Sequence, residues 1–295
     1  MTGLVADRSS TRLRVPRHPC PNDKLISRSL LVAVGVTAVV LAGVVAGFAQ
    51  RPFFGGSQRE PAIGKLTYDG RFTFARLKYT SGPGGYYYRG LPAWAHGYVP
   101  GADGDRAEVN LMKIMDEVTY LNPHLEESAV FSLDDPELFK YPLAYMTEPG
   151  FWTMGDEEAA GLRAYLLKGG FIIFDDFRAD GLFNSGGGWA NFAGNVGRAF
   201  PELRLIELDT SAAVFHSFFG IDSFAIIPQS YDRGRPAFFG LFEDNDPGKR
   251  MMAIVNYNTD VSDFWEFSAT GFRPTNESNE AYKLGVNYIM YGVMH

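Results

Sequence analysis

The chain has 295 residues, of which 46% are hydrophobic and 15% aromatic, and this composition excludes intrinsic disorder because it can form a large core. The net charge of -7 is unevenly distributed. The first 50 residues carry six basic and two acidic side chains, whereas the remaining residues carry 21 basic and 32 acidic side chains. An acidic body excludes nucleic acid as a partner, since phosphate binding needs clustered Lys and Arg.

The only cysteine, Cys20, precedes a long apolar segment. The part of the chain after that segment therefore has no disulfide, no thiol nucleophile and no metal site built on cysteine.

Residues 29–49 form an uncharged apolar run that follows Arg28. A basic residue before such a run is typical of a secretory signal, and Gly47 and Ala49 supply small residues for cleavage before Gln50. About 20 apolar residues also suffice to span a bilayer, so an uncleaved anchor is the alternative. Both interpretations predict an exported protein, either periplasmic or anchored and facing the periplasm.

The chain is therefore divided into four parts. Residues 1–28 are a basic leader, residues 29–49 the signal or anchor, and residues 50–64 a linker rich in Gly and Pro. No second linker or repeat follows, so residues 65–295 are predicted to form a single domain. Contact with a membrane is expected only through residues 29–49, and only if they are not removed.

The first predicted elements of the domain are separated by a long loop. Alternating apolar residues predict a strand over 72–79, and a loop rich in Gly, Tyr and Trp follows over 81–104. Helical spacing of apolar residues predicts a helix over 106–121, and a short apolar run predicts a strand over 141–146.

The clearest unit is a helix followed by a buried strand. Thr153 is a predicted N-cap, and Gly169 and Gly170 are predicted to end the helix, because glycine takes the left-handed conformation without strain. The strand Phe171 to Phe174 is entirely apolar and leads directly into two aspartates.

The remaining elements complete an alternating pattern. A helix is predicted near 189–200, a strand over 203–208, a hairpin of 237–242 with 250–257, and a C-terminal helix around 282–293. Apolar strands that alternate with amphipathic helices predict an α/β fold, a three-layer sandwich with a mostly parallel central sheet.

Six stretches together resemble the uncharacterised bacterial family known as domain of unknown function 4159. They are FTFARLKY at 72–79, YPLAYMTEPG at 141–150, DEEAAGLRAYLLKGGFIIFDDF at 156–177, VFHSFF at 214–219, NYNTDVSDFWE at 256–266 and LGVNYIMYGV at 284–293. The resemblance covers residues 65–295 and implies a flavodoxin-like fold similar to class I glutamine amidotransferases. It implies no established activity.

The fold resemblance also implies a place for a catalytic cysteine, on the turn after the strand at 171–174. Asp175 and Asp176 stand there instead, without flanking glycine. Glutaminase chemistry by that route is excluded, since a fold does not carry its function without the site.

Asp175 and Asp176 are the first candidate binding residues, because open α/β sheets bind ligands at the carboxyl ends of their strands. They could bind a ligand, or they could cap amides of the following loop. His216 is a candidate acid, base or ligand, although a histidine among aromatic residues is more often a packed one.

Three further candidates lie near other strand ends. Arg76 and Tyr79 precede a loop with Tyr86 to Tyr88, Arg89 and Trp94, which could form an aromatic wall beside a guanidinium or could simply pack. Asp260 follows the last strand and is interpreted as an acidic rim residue or as the start of an Asx turn.

Recognised catalytic and metal-binding motifs are missing from the sequence. It contains no serine hydrolase elbow, no zinc-protease histidine spacing and no complete calcium loop, so no metal and no cofactor are assigned. The main hypothesis is a non-catalytic exported domain that binds a small ligand or an envelope protein at the strand ends. The alternative is an envelope hydrolase or lyase, with or without assistance from a metal, that uses Asp175 or Asp176 with His216.

The signal hypothesis predicts that the mature protein begins at Gln50. Mass spectrometry of the envelope fraction would measure its N-terminus. A membrane-bound chain that still carries residues 1–49 would show an anchor instead.

Overall fold

A computed structural model describes most of the domain. The described residues are 60–61, 63, 66–85, 90–98, 107–125, 128–176, 188–227 and 235–295. The predicted signal segment, Cys20 and the Tyr86 to Arg89 stretch lie outside them. Among the described helices, none is long and apolar enough to cross a membrane.

Nine strands are described, and seven of them form the central sheet. They are β1 Ala75–Leu77, β2 Thr80–Ser81, β3 Ala129–Phe131, β4 Leu143–Thr147, β5 Trp152–Thr153, β6 Phe171–Asp175, β7 Leu205–Leu208, β8 Ala237–Phe242 and β9 Met251–Tyr257. The central sheet has the order β3-β1-β4-β6-β9-β8-β7, and β2 pairs with β5 separately.

The first five strands of that order run parallel, from β3 through β1, β4 and β6 to β9. Only β8 opposes its neighbours, because it forms a hairpin with β9 and also pairs antiparallel with β7. The prediction of a mostly parallel sheet is confirmed, as is the hairpin.

Five α-helices are described around the sheet. They are α1 Ala107–Val118, α2 Asp156–Leu167, α3 Gly188–Ala199, α4 Val261–Glu266 and α5 Thr275–Met294. Short 3-10 turns, including Ala93–Ala95 and Ala213–His216, join several of the elements.

Each face of the sheet is covered by its own core, as the alternation of side chains along β6 shows. Phe171 and Ile173 pack in the core formed with α1, α4 and α5, whereas Ile172 and Phe174 pack in the core formed with α2 and α3. Successive strand residues point to opposite faces, so a strand that is apolar throughout requires cover on both. The α/β three-layer architecture is confirmed.

One local prediction was wrong, the helix cap at Thr153. The N-cap of α2 is Gly155, whose amide donates to the Glu158 carboxylate at 2.8 Å. Thr153 instead belongs to β5, and its hydroxyl donates to the Thr80 carbonyl at 2.6 Å. The pairing of β5 with β2 therefore places Thr153 in a strand, although the local sequence pattern favours it as a helix cap.

Two helical glycines differ sharply in their surroundings. A Cβ added at Gly161 of α2 would lie 2.0 Å from the carbonyl oxygen of Leu133, so the helix touches the chain after β3 at the backbone. Gly194 of α3 would meet nothing within 4 Å.

We predict that Gly161→Ala destabilises the protein by about 1–3 kcal/mol, because backbone atoms must move to make room. Gly194→Ala should stabilise it by about 0.5–1 kcal/mol through helix propensity alone. Urea unfolding of both variants measures this. Equal effects at the two positions would contradict the close approach of α2 to the backbone at Leu133.

Candidate functional site

Three adjacent parallel strands end in residues with left-handed backbone conformations. Glu148 follows β4 with φ 49°, Asp176 follows β6 with φ 62°, and Asn258 follows β9 with φ 55°. This conformation costs roughly 1–2 kcal/mol for most residues other than glycine, and Asn and Asp adopt it most readily. Such strain is common at functional sites, where the surrounding structure holds it in place.

Asp175, the last residue of β6, is buried and accepts hydrogen bonds from four donors. Its oxygens accept from the Tyr145 hydroxyl at 3.1 Å and the Asn256 amide at 3.0 Å. They also accept from the backbone amides of Val261 at 3.2 Å and Ser262 at 2.9 Å. The carboxylate thus fixes the start of α4 to the central strand.

The contacts of Asp175 continue into α5. The Asn256 amide oxygen accepts from the Tyr288 hydroxyl at 2.9 Å, so β6, β9 and α5 share one buried polar network. Burial raises the pKa of Asp175 to about 6, although the Asn256 hydrogen bond opposes this rise and the nearby Asp176 adds to it.

Asp176 points away from this network and contacts His96. Its Oδ2 lies 2.8 Å from Nδ1 of His96, whereas its buried Oδ1 has no hydrogen-bond partner among the described residues. The imidazole is 24% exposed and lies 3.9 Å from the Glu148 carboxylate. Burial lowers the pKa of His96, but Asp176, Asp260 and Glu266 outweigh it and raise the value to about 9.

Asp260 is the N-cap of α4, as the Asx-turn interpretation expected. Its Oδ1 accepts from the Asp263 amide and the Ser262 hydroxyl, both at 2.9 Å. Its buried Oδ2 accepts no hydrogen bond from the described residues. Burial and the charge of Asp176 hold the pKa of Asp260 well above its usual range.

Arg76 lies in the middle of β1 and is completely buried rather than part of an open aromatic wall. Its guanidinium is paired with Glu108 and donates from Nη1 to the carbonyls of Trp94, at 2.9 Å, and His96, at 2.7 Å. Tyr79 is also internal, and its hydroxyl donates to the carbonyls of Thr147 and Glu148 at the end of β4.

The strand ends carry more negative charge than positive. Two cations, Arg76 and His96, lie among six buried carboxyl groups: Glu108, Glu148, Asp175, Asp176, Asp260 and Glu266. A seventh, Asp263 on α4, is paired with Arg273. Buried carboxylates are costly unless protons, hydrogen bonds or cations offset their charge. Asp175 has four donors, but Asp176 and Asp260 each keep a buried oxygen without one. We call His96, Asp176 and Asp260 the strand-end cluster.

His216 is not brought to the strand-end cluster. It lies on the exposed surface in the 3-10 turn Ala213–His216, where its Nε2 contacts the Thr210 carbonyl at 2.6 Å. Asp209, a nearby acid in the chain, accepts from the amide and hydroxyl of Ser211 in the same segment. The histidine beside the acidic pair is His96.

His96 and Glu148 are the residues that sequence reasoning missed. Glu148 had a usable signal, because it directly follows an apolar strand just as the aspartate pair does. His96 had none, since it lies in a long loop whose course is fixed by contacts with Arg76, 20 residues earlier in the chain.

The sheet and the strand-end cluster define an α/β three-layer domain with an acidic site at the carboxyl edge of its parallel strands. The chain belongs to the family described as Domain of unknown function (DUF4159), whose profile matches residues 73–293. Comparison with curated proteins finds no match.

We predict different costs for the two aspartates. Asp175→Asn should lower the free energy of unfolding by about 1–3 kcal/mol, because in either orientation the new NH2 group would face at least one N–H group that cannot accept a hydrogen bond. Asp176→Asn should cost less, since it loses one contact and relieves repulsion. Urea unfolding compares them, and a larger loss for Asp176→Asn would contradict this division of roles.

Proposed function

We propose that this chain is an exported, non-catalytic domain that binds a positively charged ligand at the carboxyl edge of its sheet. The excess of buried carboxyl groups over cationic side chains at the ends of β4, β6 and β9 is the observation that carries the proposal. A bound cation offsets buried carboxylate charge without requiring the carboxylates to take up protons.

Two carboxylate oxygens of the strand-end cluster accept no hydrogen bond from the described residues, and they indicate where the ligand binds. Asp176 Oδ1 and Asp260 Oδ2 are both buried, and both belong to side chains whose other oxygen is already held in place. Carboxylates oriented in this way are prepared to bind a cation at little cost in conformational entropy. The half-buried His96 ring borders the same point and connects it with solvent.

Export rests on a separate argument, the apolar run at 29–49 with its basic flank. This segment supports a periplasmic location for the domain, with the strand-end site exposed to envelope solutes.

The alternative enzyme hypothesis, which pairs Asp175 or Asp176 with His216, gains no support from the geometry. It requires the His216 imidazole within hydrogen-bond reach of one of these carboxylates. Asp175 is occupied by four donors, and His216 is bound to a backbone carbonyl elsewhere.

We predict that Asp260→Asn weakens cation binding while preserving the fold. Asparagine caps helices as well as aspartate does, so the Asp263 and Ser262 contacts remain and only the capacity for negative charge is lost. Without ligand, the melting temperature of the variant should change little, because the raised pKa of Asp260 favours a neutral carboxyl group, which the amide replaces without a change in charge. With ligand, its gain in melting temperature should be smaller than that of the unsubstituted chain.

The measurement is thermal unfolding of the full chain with Mg²⁺, Ca²⁺, Mn²⁺, Zn²⁺ and small organic amines. Asp135→Asn is the matched control, since Asp135 also caps a helical turn through one oxygen, from the Glu137 amide at 2.9 Å. The proposal fails if no cation stabilises the chain, or if Asp260→Asn and Asp135→Asn respond alike.

A further inference from the structure

We infer that the cation is a divalent transition metal bound by His96, Asp176 and Asp260. This inference rests on the proposed function and names the ligand of that same site. The candidate ligand atoms, one from each residue, all lie within 4.8 Å of one another.

The chemistry of the donors selects the kind of metal. One imidazole nitrogen and two carboxylate oxygens suit zinc, manganese, iron or cobalt, whereas calcium and magnesium prefer oxygen ligands alone. Three protein ligands leave coordination positions for solvent or a further ligand. Glu148 Oε1, 3.9 Å from the His96 ring nitrogen, is close enough to supply another oxygen.

The ligands come from three separate parts of the chain, and each is fixed by independent contacts. Asp176 is held by the turn at the end of β6, and Asp260 by its capping of α4. His96 directly follows the 3-10 turn Ala93–Ala95, and its amide donates to the carbonyl of Ala93. Because 80 and 84 residues separate neighbouring ligands, no short sequence motif reveals the set.

Arg76 is the positioning residue for His96. Its Nη1 donates to the carbonyl of His96 itself and to that of Trp94, two residues earlier, while Glu108 holds the other side of the guanidinium. Gly97 then takes a left-handed φ of 69°, and a Cβ there would lie 3.2 Å from the Glu266 carboxylate. The backbone on both sides of His96 is thus determined by buried charged side chains.

A competing explanation is that the cluster is only an internal ion pair. In that case His96 permanently carries the charge that balances Asp176, and Asp260 is simply protonated. The two explanations differ in whether His96 binds a metal. The experiment therefore uses a metal ion whose absorption of visible light depends on its ligands.

The experiment titrates the metal-free full chain with Co²⁺ and records the visible absorption bands that report nitrogen and oxygen ligands. We expect one tight equivalent, with bands that disappear when Zn²⁺ is added. In His96→Gln the affinity should fall by more than about 100-fold, beyond the 10–100-fold losses typical of outer-shell changes. His124→Gln is the matched control, because His124 also pairs with an aspartate, Asp69, at 3.1 Å.

The positioning role of Arg76 is tested in the same titration. Arg76→Lys should weaken Co²⁺ binding about 10- to 100-fold and change the spectrum, because lysine cannot hold both carbonyls and Glu108 at once. Arg250→Lys is the control: Arg250 likewise binds one carboxylate, of Glu243, and two carbonyls, of Gly170 and Leu166. It lies just before β9, at the opposite edge of the sheet, so its loss should reduce stability and leave the Co²⁺ spectrum unchanged.

The outcomes separate this inference from the function on which it rests. If Ca²⁺ or an amine binds more tightly than Co²⁺, and His96→Gln binds it equally well, the site is a cation site but the transition-metal inference is wrong. If no cation binds at all, both fail and the internal ion pair is the correct description. If His124→Gln reduces Co²⁺ binding as much as His96→Gln does, the metal lies elsewhere on the protein.

Discussion

Burial of a carboxylate at the end of the central strand is the constraint on which this domain depends. Asp175 can be ionised there only because Tyr145, Asn256 and the first amides of α4 all donate to it. Those donors come from β4, β9 and α4, so satisfying one side chain fixes three elements against β6. The position of Asp260, as the N-cap of α4, follows from that anchoring.

The two aspartates at the end of β6 have different roles because the chain changes direction between them. Asp175 follows the pleat of the strand and faces the side covered by α4, whereas the left-handed φ of Asp176 turns its carboxylate toward His96. Adjacent residues can therefore serve structure and binding separately. Both oxygens of Asp175 accept hydrogen bonds, whereas Oδ1 of Asp176 accepts none from the described residues.

The parts that could be predicted from the sequence are those whose signals are local. The unit of α2, Gly169 and β6 combines helical spacing, a glycine stop and an apolar run within 20 residues, and the β8–β9 hairpin has similarly local signals. Asp176 and Asp260 were accessible through the rule that ligands bind at strand ends. His96 was not, because Arg76 and Glu108 fix its place through contacts between distant segments. The Thr153 cap failed for a related reason, since strand pairing with Thr80 outweighed helix-start chemistry.

The three left-handed strand ends separate the acidic edge from the connecting loops. Glu148, Asp176 and Asn258 turn immediately where β4, β6 and β9 stop, so the sheet's own hydrogen bonds set their spacing. Segments inserted or exchanged beyond these turns change what surrounds the acidic edge without moving these three residues. The ends of β4, β6 and β9 can therefore keep their positions while the loops beyond them vary in length and sequence.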